Sequence, residues 1–123
     1  MHTDNHFDQL PVWKQTMDFV RLIYAATNTF PAEEKDGLGR RLRNKAIDLA
    51  VMVSSVPGAG INTASVRNLT EAGNAVRELE TLLYISTQLG FLKPAEYEKY
   101  AEETSTIGRE LHRMASRMNK KIS

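Results

Sequence analysis

The side chains that most often carry metal or acid–base chemistry are scarce in this sequence. It has three histidines, His2, His6 and His112, and no cysteine. Without cysteine there are no disulfides, no thiol nucleophile and no cysteine-ligated zinc or iron–sulfur centre. A dinuclear carboxylate site in a helical bundle needs Glu-x-x-His, so that both ligands project from one helix face. No glutamate here is followed by histidine at that spacing. A serine nucleophile would need His112 as its base, and no sequence context singles out a serine. "PGAG" (57–60) lacks the Gly-Lys-Ser/Thr ending that lets a glycine loop cradle phosphate. The expectation is therefore a non-enzyme with no catalytic residue, no metal and no cofactor. An enzyme with an unrecognised site is the remote alternative, which a clustered, inward-facing set of ionisable groups would revive.

What remains is charge. "LGRRLRNKA" (38–46) places Arg40, Arg41, Arg43 and Lys45 within six positions. At 100° per residue, with Leu38, Leu42, Leu49 and Val53 facing the core, Arg40 points outward and Arg41 and Arg43 fall on opposite flanks. Lys45 lies nearer the core boundary, where its stem can pack while the ammonium reaches water. In the last segment Arg109, Arg113, Arg117 and Lys120 share a narrow arc opposite Leu111 and Met118, with Lys121 beside them. Arg40, Arg41, Arg43, Arg109, Arg113, Arg117, Lys120 and Lys121 are thus the candidates for contacting RNA or DNA phosphates, with an affinity that would fall steeply with salt. No aromatic interleaves with the C-terminal arginines as a base-stacking platform would require. The plain alternative is a solvated face paired to carboxylates, for example around Glu102 and Glu103.

The charge budget sharpens the contrast between the chain's two parts. Its 123 residues carry a net +1, too small by itself to call for a polyanionic partner. Residues 105–123, however, hold five basic and one acidic group, a balance of +4, against −3 for residues 1–104. Hydrophobic residues make up 41% and charged residues 25%, the profile of an ordinary globular domain. No apolar run is long enough to span a bilayer, so no membrane partner is expected, and the expected address is the cytoplasm.

These side chains need elements to hold them. Breaks at Pro11, Phe30-Pro31, Pro57 to Gly60 and Gly90 to Pro94 leave four segments, all with helical spacing. In the first, Trp13, Met17, Val20, Tyr24 and Thr27 share a face. In the second, Leu38, Leu42, Leu49, Val53 and Val56 form the stripe, with Ala46 and Ala50 allowing close approach. Gly37 and Gly39 weaken its start by ~1 kcal/mol each relative to alanine, so the helix is expected to begin near Leu38. Asn62 or Thr63 can cap the third segment, and Gly90 with Phe91 predicts a Schellman ending for it. The fourth carries Tyr97, Ala101, Thr104, Ile107, Leu111, Met114 and Met118 inward. Short connections favour an antiparallel up-down-up-down four-helix bundle over residues 9–123, preceded by a loose polar segment, 1–8.

The third segment is apolar over nearly half its circumference. Val76, Leu79 and Leu83 make one stripe and Leu82, Ile85 and Leu89 a second. Either this helix is central in its own bundle, or Leu82, Ile85 and Leu89 meet another subunit. Glu78 projects into the second stripe, and a carboxylate buried there needs a partner, with Arg43 the leading candidate. The other reading leaves Glu78 at the solvated rim.

Two stretches carry a family resemblance. "IYAATNTFPAEEKDGLGRRLRNKAIDLA" (23–50) presents Tyr24, Phe30, Pro31, Glu33, Glu34, Gly37, Leu38, Leu42 and Arg43. "RELETLLYISTQLGFL" (77–92) presents Glu78, Leu79, Glu80 and Thr81 and then Leu89-Gly90-Phe91-Leu92. Together they resemble the four-helix bundle proteins encoded by intervening sequences of bacterial large-subunit ribosomal RNA genes, whose relatives include accessory variability proteins of diversity-generating retroelements. The chain departs from the family's usual Ile-Pro-x-Asn-Ile-x-Glu-Gly after the second helix, with "VSSVPGAGIN" at 53–62. The resemblance implies an all-α homo-oligomer, with a ring-shaped pentamer expected, and no catalytic activity. It also implies a possible partnership with nucleic acid and with a reverse transcriptase or other protein. The expected function is a binding or scaffold role, with RNA or DNA as ligand, and the alternative is an adaptor that contacts only proteins.

Overall fold

The computed structural model describes residues 10–123. The expected loose segment at 1–8 lies outside these residues. Four long helices and one single turn account for most of the described chain: α1 (Pro11–Thr27), α2 (Ala32–Lys35), α3 (Leu38–Ser54), α4 (Thr63–Gln88) and α5 (Pro94–Ile122). No strand occurs among the described residues. The long helices form a bundle in which α1 packs on α3 and α5, and α4 packs on the same two helices. Helices α3 and α5 therefore lie diagonally across from one another. The rings of Phe30 and Phe91, 5.6 Å apart, bring the α1–α3 and α4–α5 connections to one end. Ile61, from the α3–α4 connection, lines a depression with Met114 and Met118 near the end of α5.

Local chemistry explains where the helices start and stop. Pro11 and Pro94 occupy first-turn positions, where a missing N–H costs nothing. The Asn62 side chain accepts the Ser65 amide at 2.9 Å and caps α4. At the other end of α4, Gly90 takes φ +82°, its amide donates to the Thr87 carbonyl, and the Phe91 amide donates to the Ser86 carbonyl at 2.8 Å. These are the two bonds of a Schellman ending, which needs a left-handed residue between them. The Glu96 carboxylate accepts the Lys93 amide at 3.1 Å and closes the first turn of α5.

The segment opening at Pro31 divides into α2 and α3 instead of forming one helix. Gly39 is buried, and a Cβ there would lie 3.1 Å from the Glu34 carbonyl oxygen and from the Arg43 guanidinium, and 3.6 Å from Thr27. Glycine thus lets the start of α3 approach both α2 and the end of α1, which offsets its poor helix propensity.

The core joins Phe19 and Ile23 of α1, Leu42, Leu49 and Val53 of α3, Leu69, Val76, Leu79 and Leu83 of α4, and Ile107 and Leu111 of α5. Burying each such side chain contributes roughly 1.5–3 kcal/mol. The stripe of α3 is as expected, with Leu38 and Val56 only partly covered. That of α1 is rotated. Val12, Thr16, Phe19, Ile23 and Ala26 are buried with Val20 and Thr27, whereas Trp13 and Met17 are half-covered and Tyr24 is exposed. Thr16 is able to face inward because its hydroxyl donates to the Val12 carbonyl at 2.7 Å. Thr27 and Ser86 solve the same problem through Ile23 and Leu82. On α5, Tyr100 joins the buried set beside Thr104, Ile107 and Leu111.

Candidate nucleic-acid interface

The basic candidates fall on two helices that sit across the bundle from each other. On α3, Arg40 donates to the Asp36 carboxylate at 3.2 Å, a solvated pair at the foot of the helix. Arg43 turns toward the α2 turn and α1. Its Nη2 donates to the Lys35 carbonyl at 2.9 Å, and its guanidinium lies 5.9 Å from the centre of the Tyr24 ring. A charged donor on a carbonyl and a cation over an aromatic face both favour this pose. Arg41 is exposed on the opposite flank. The fan expected from the wheel is present, and two of its three arginines are engaged with neighbouring backbone or carboxylate.

The pairing expected between Glu78 and Arg43 is not formed. Glu78 instead meets Lys45 at 3.0 Å across the α3–α4 seam, with the lysine side chain 28% and the glutamate side chain 57% exposed. Lys45 lies two positions after Arg43, a rotation of about 200° that points one toward α4 and the other toward α1. Glu78 is accordingly a rim carboxylate, and the pair contributes at most about 1 kcal/mol in this solvated setting.

On α5, Arg109, Arg113, Arg117, Lys120 and Lys121 are all exposed. Glu110 lies among them, its carboxylate accepting from Arg113 at 2.8 Å and standing 3.8 Å from Arg117. One carboxylate thus moderates the repulsion between two arginines, a role expected of the region around Glu102 and Glu103. Among the described residues Arg109 makes only a long contact, 3.4 Å, to the Thr106 hydroxyl. Arg109 and Arg113 border a shallow depression with Pro11 and Gln15 of α1, and Arg117 and Lys121 border another with Ile61 and Met118. The stripe therefore runs from the α1–α5 seam to the end of the bundle, and five cations against one carboxylate leave it positive.

The second apolar stripe of α4 splits. Leu82 is 6% exposed and belongs to this chain's own core, as the first of the two readings of that stripe had it, and not to an intersubunit surface. Ile85 and Leu89 are 39% and 57% exposed and remain on the outside. Tyr24, expected on the inner face of α1, is exposed on the α1–α3 side, as are Ile47 and Val51 of α3. Val51 follows Ile47 by one helical turn on α3, and that spacing was the available signal.

Among the described residues, no three histidine, aspartate or glutamate side chains are grouped to hold a metal ion. His112 is exposed on α5. No helix of the described residues is long and apolar enough to cross a membrane. Comparison with curated proteins finds no match. A family model described as 23S rRNA-intervening sequence protein matches residues 8–113, from just before α1 through most of α5 and across every seam of the bundle. The chain belongs to the 23S rRNA-intervening sequence protein family.

Proposed function

We propose that this protein is a non-enzymatic, self-associating bundle that binds RNA or DNA through the exposed cations of α5 and works in the cytoplasm. The observation that carries the reading is the α5 stripe itself. Arg109, Arg113, Arg117, Lys120 and Lys121 project from one helix into solvent with a single carboxylate, Glu110, among them. A row of this kind meets successive phosphates and releases the counterions condensed on them. Contacts of that sort position a strand without reading its sequence, which suits the absence of aromatic side chains between the arginines. Self-association would cover Ile85 and Leu89 and repeat the stripe once per subunit, so that several weak contacts act together on one strand. A ring-shaped pentamer is the assembly we favour, on the family resemblance.

Anisotropy titration of a labelled single-stranded RNA at low salt tests the proposal. The unmodified protein should bind, and Arg109→Glu/Arg113→Glu/Arg117→Glu should abolish binding while leaving helicity intact. Absence of binding by the unmodified protein, or undiminished binding by the variant, would overturn it.

A protein-facing role has an observation of its own. Tyr24, Ile47 and Val51 lie exposed on α1 and α3, where a reverse transcriptase or other protein partner could cover them without touching the α5 stripe.

A further inference from the structure

Glycine in a helix interior weakens the helix relative to alanine, so its presence calls for a reason. The usual one is close approach of a neighbour, and that reason holds for Gly39. It fails for Gly73 of α4 and Gly108 of α5. A Cβ on Gly73 would meet nothing within 4 Å, and one on Gly108 would make only an ordinary 3.6 Å contact with Val76. What the two glycines do is line an open groove of about 270 Å³ on the α4–α5 seam. Arg77, Arg109 and His112 border it, and the half-buried Glu80 enters it as well. The Arg77 guanidinium forms no hydrogen bond or ion pair among the described residues.

We propose that this groove is a binding site for one nucleotide unit, its phosphate held by Arg77 and Arg109 and a sugar hydroxyl or base amino group donating to Glu80. The chemistry of the rim selects the ligand class. Guanidinium groups match the oxygens of a phosphate and bind them bidentately. A carboxylate beside them repels the phosphate charge but accepts N–H and O–H donors, which a nucleotide offers from its sugar and base, apart from the phosphate, whereas inorganic phosphate offers only its own P–O–H groups. At about 270 Å³ the groove has room for one small ligand unit, and its rim continues into a second depression bordered by Arg77, Arg109, His112 and Arg113. The unit can belong to a strand or be free. In the first case the inference rests on the nucleic-acid reading above, with Arg109 shared between groove and stripe; in the second it stands apart from it.

The test uses the full chain with three probes: a labelled ten-nucleotide single-stranded RNA, adenosine 5′-monophosphate and inorganic phosphate. Gly73→Leu fills the groove from a position with open space, and Arg77→Gln removes a cation outside the α5 stripe. Gly73→Ala is the folding control and should raise Tm by roughly 4 °C. The proposal expects Gly73→Leu and Arg77→Gln each to weaken the RNA or the mononucleotide about tenfold at unchanged helicity, with inorganic phosphate binding far more weakly. RNA and mononucleotide binding that both variants leave intact would overturn the groove and spare the stripe. Mononucleotide binding without RNA binding, lost in Gly73→Leu, would sustain the groove and remove the strand. Binding of neither probe, or of phosphate as tightly as of the mononucleotide, would overturn the nucleotide assignment.

Discussion

The arginines of α3 and those of α5 look alike in the sequence and differ in what surrounds them. Arg43 is built into the fold, bonded to the Lys35 carbonyl and set over Tyr24 where α1, α2 and α3 converge, and Arg40 is paired with Asp36. On α5 one carboxylate serves two arginines, and Arg109, Lys120 and Lys121 face solvent without an ion pair among the described residues. Charge density alone does not separate these cases. The α3 arginines follow a one-turn helix that ends at the Lys35 carbonyl and Asp36, which Arg43 and Arg40 meet, whereas those of α5 lie along the outer side of the second half of a long helix. Arg43 is part of the fold, Arg40 and Arg41 stay on its surface, and the α5 cations face solvent.

Three mutations can break or sharpen that contrast. The largest effect is expected from Arg113→Glu/Arg117→Glu, which should lower nucleic-acid affinity about 100-fold, near 2.8 kcal/mol at 1.4 kcal/mol per decade, and lower Tm by only a few degrees as Glu110 loses both partners. Binding isotherms alongside thermal melts provide the check. Arg43→Gln should do the reverse. Losing a charged hydrogen bond to a carbonyl costs roughly 1.5 kcal/mol, read as a lower urea midpoint, with affinity for nucleic acid preserved. If Arg43→Gln instead weakened binding at full stability, the division between the helices would be wrong. Smaller still is Lys45→Ala, for which removal of the solvated pair with Glu78 should cost no more than about 1 kcal/mol in the same urea titration.

A fourth expectation concerns pH. Burial, with the nearby Glu96 charge as the lesser cause, raises the Tyr100 phenol above its ordinary value of 10.0. The folded state thus favours the neutral form, and this contribution is fully present below pH 10 and is lost as pH rises through the folded value. Alkaline unfolding monitored by circular dichroism should therefore shift to higher pH in Tyr100→Phe.

Much of the fold was legible because α3, α4 and α5 repeat their apolar residues at helical spacing, and because Asn62, Gly90 and the prolines punctuate the chain. The face of α1 was harder to read. Trp13, Met17 and Tyr24 are apolar in type but lie on its flank, while the inward Thr16 looks polar until its hydroxyl is seen to return to Val12. The α5 stripe was readable from a single helix, since it needs no neighbour. The partner of Glu78 was not, because Lys45 and Arg43 are separated by only two positions and choosing between them depends on which helix lies to which side. The α4–α5 groove needed coordinates too. Two mid-helix glycines, 35 positions apart, signal a groove only once α4 and α5 are known to pack together.

The salt dependence of RNA binding tests the central claim most directly. If three or four α5 cations meet phosphates, a plot of log affinity against log salt should slope at about −2 to −3 for a single strand. Arg113→Gln/Arg117→Gln should flatten that slope by about one to one and a half, and Arg40→Gln/Arg43→Gln should leave it unchanged. A slope near zero, or equal flattening by both pairs, would contradict the account.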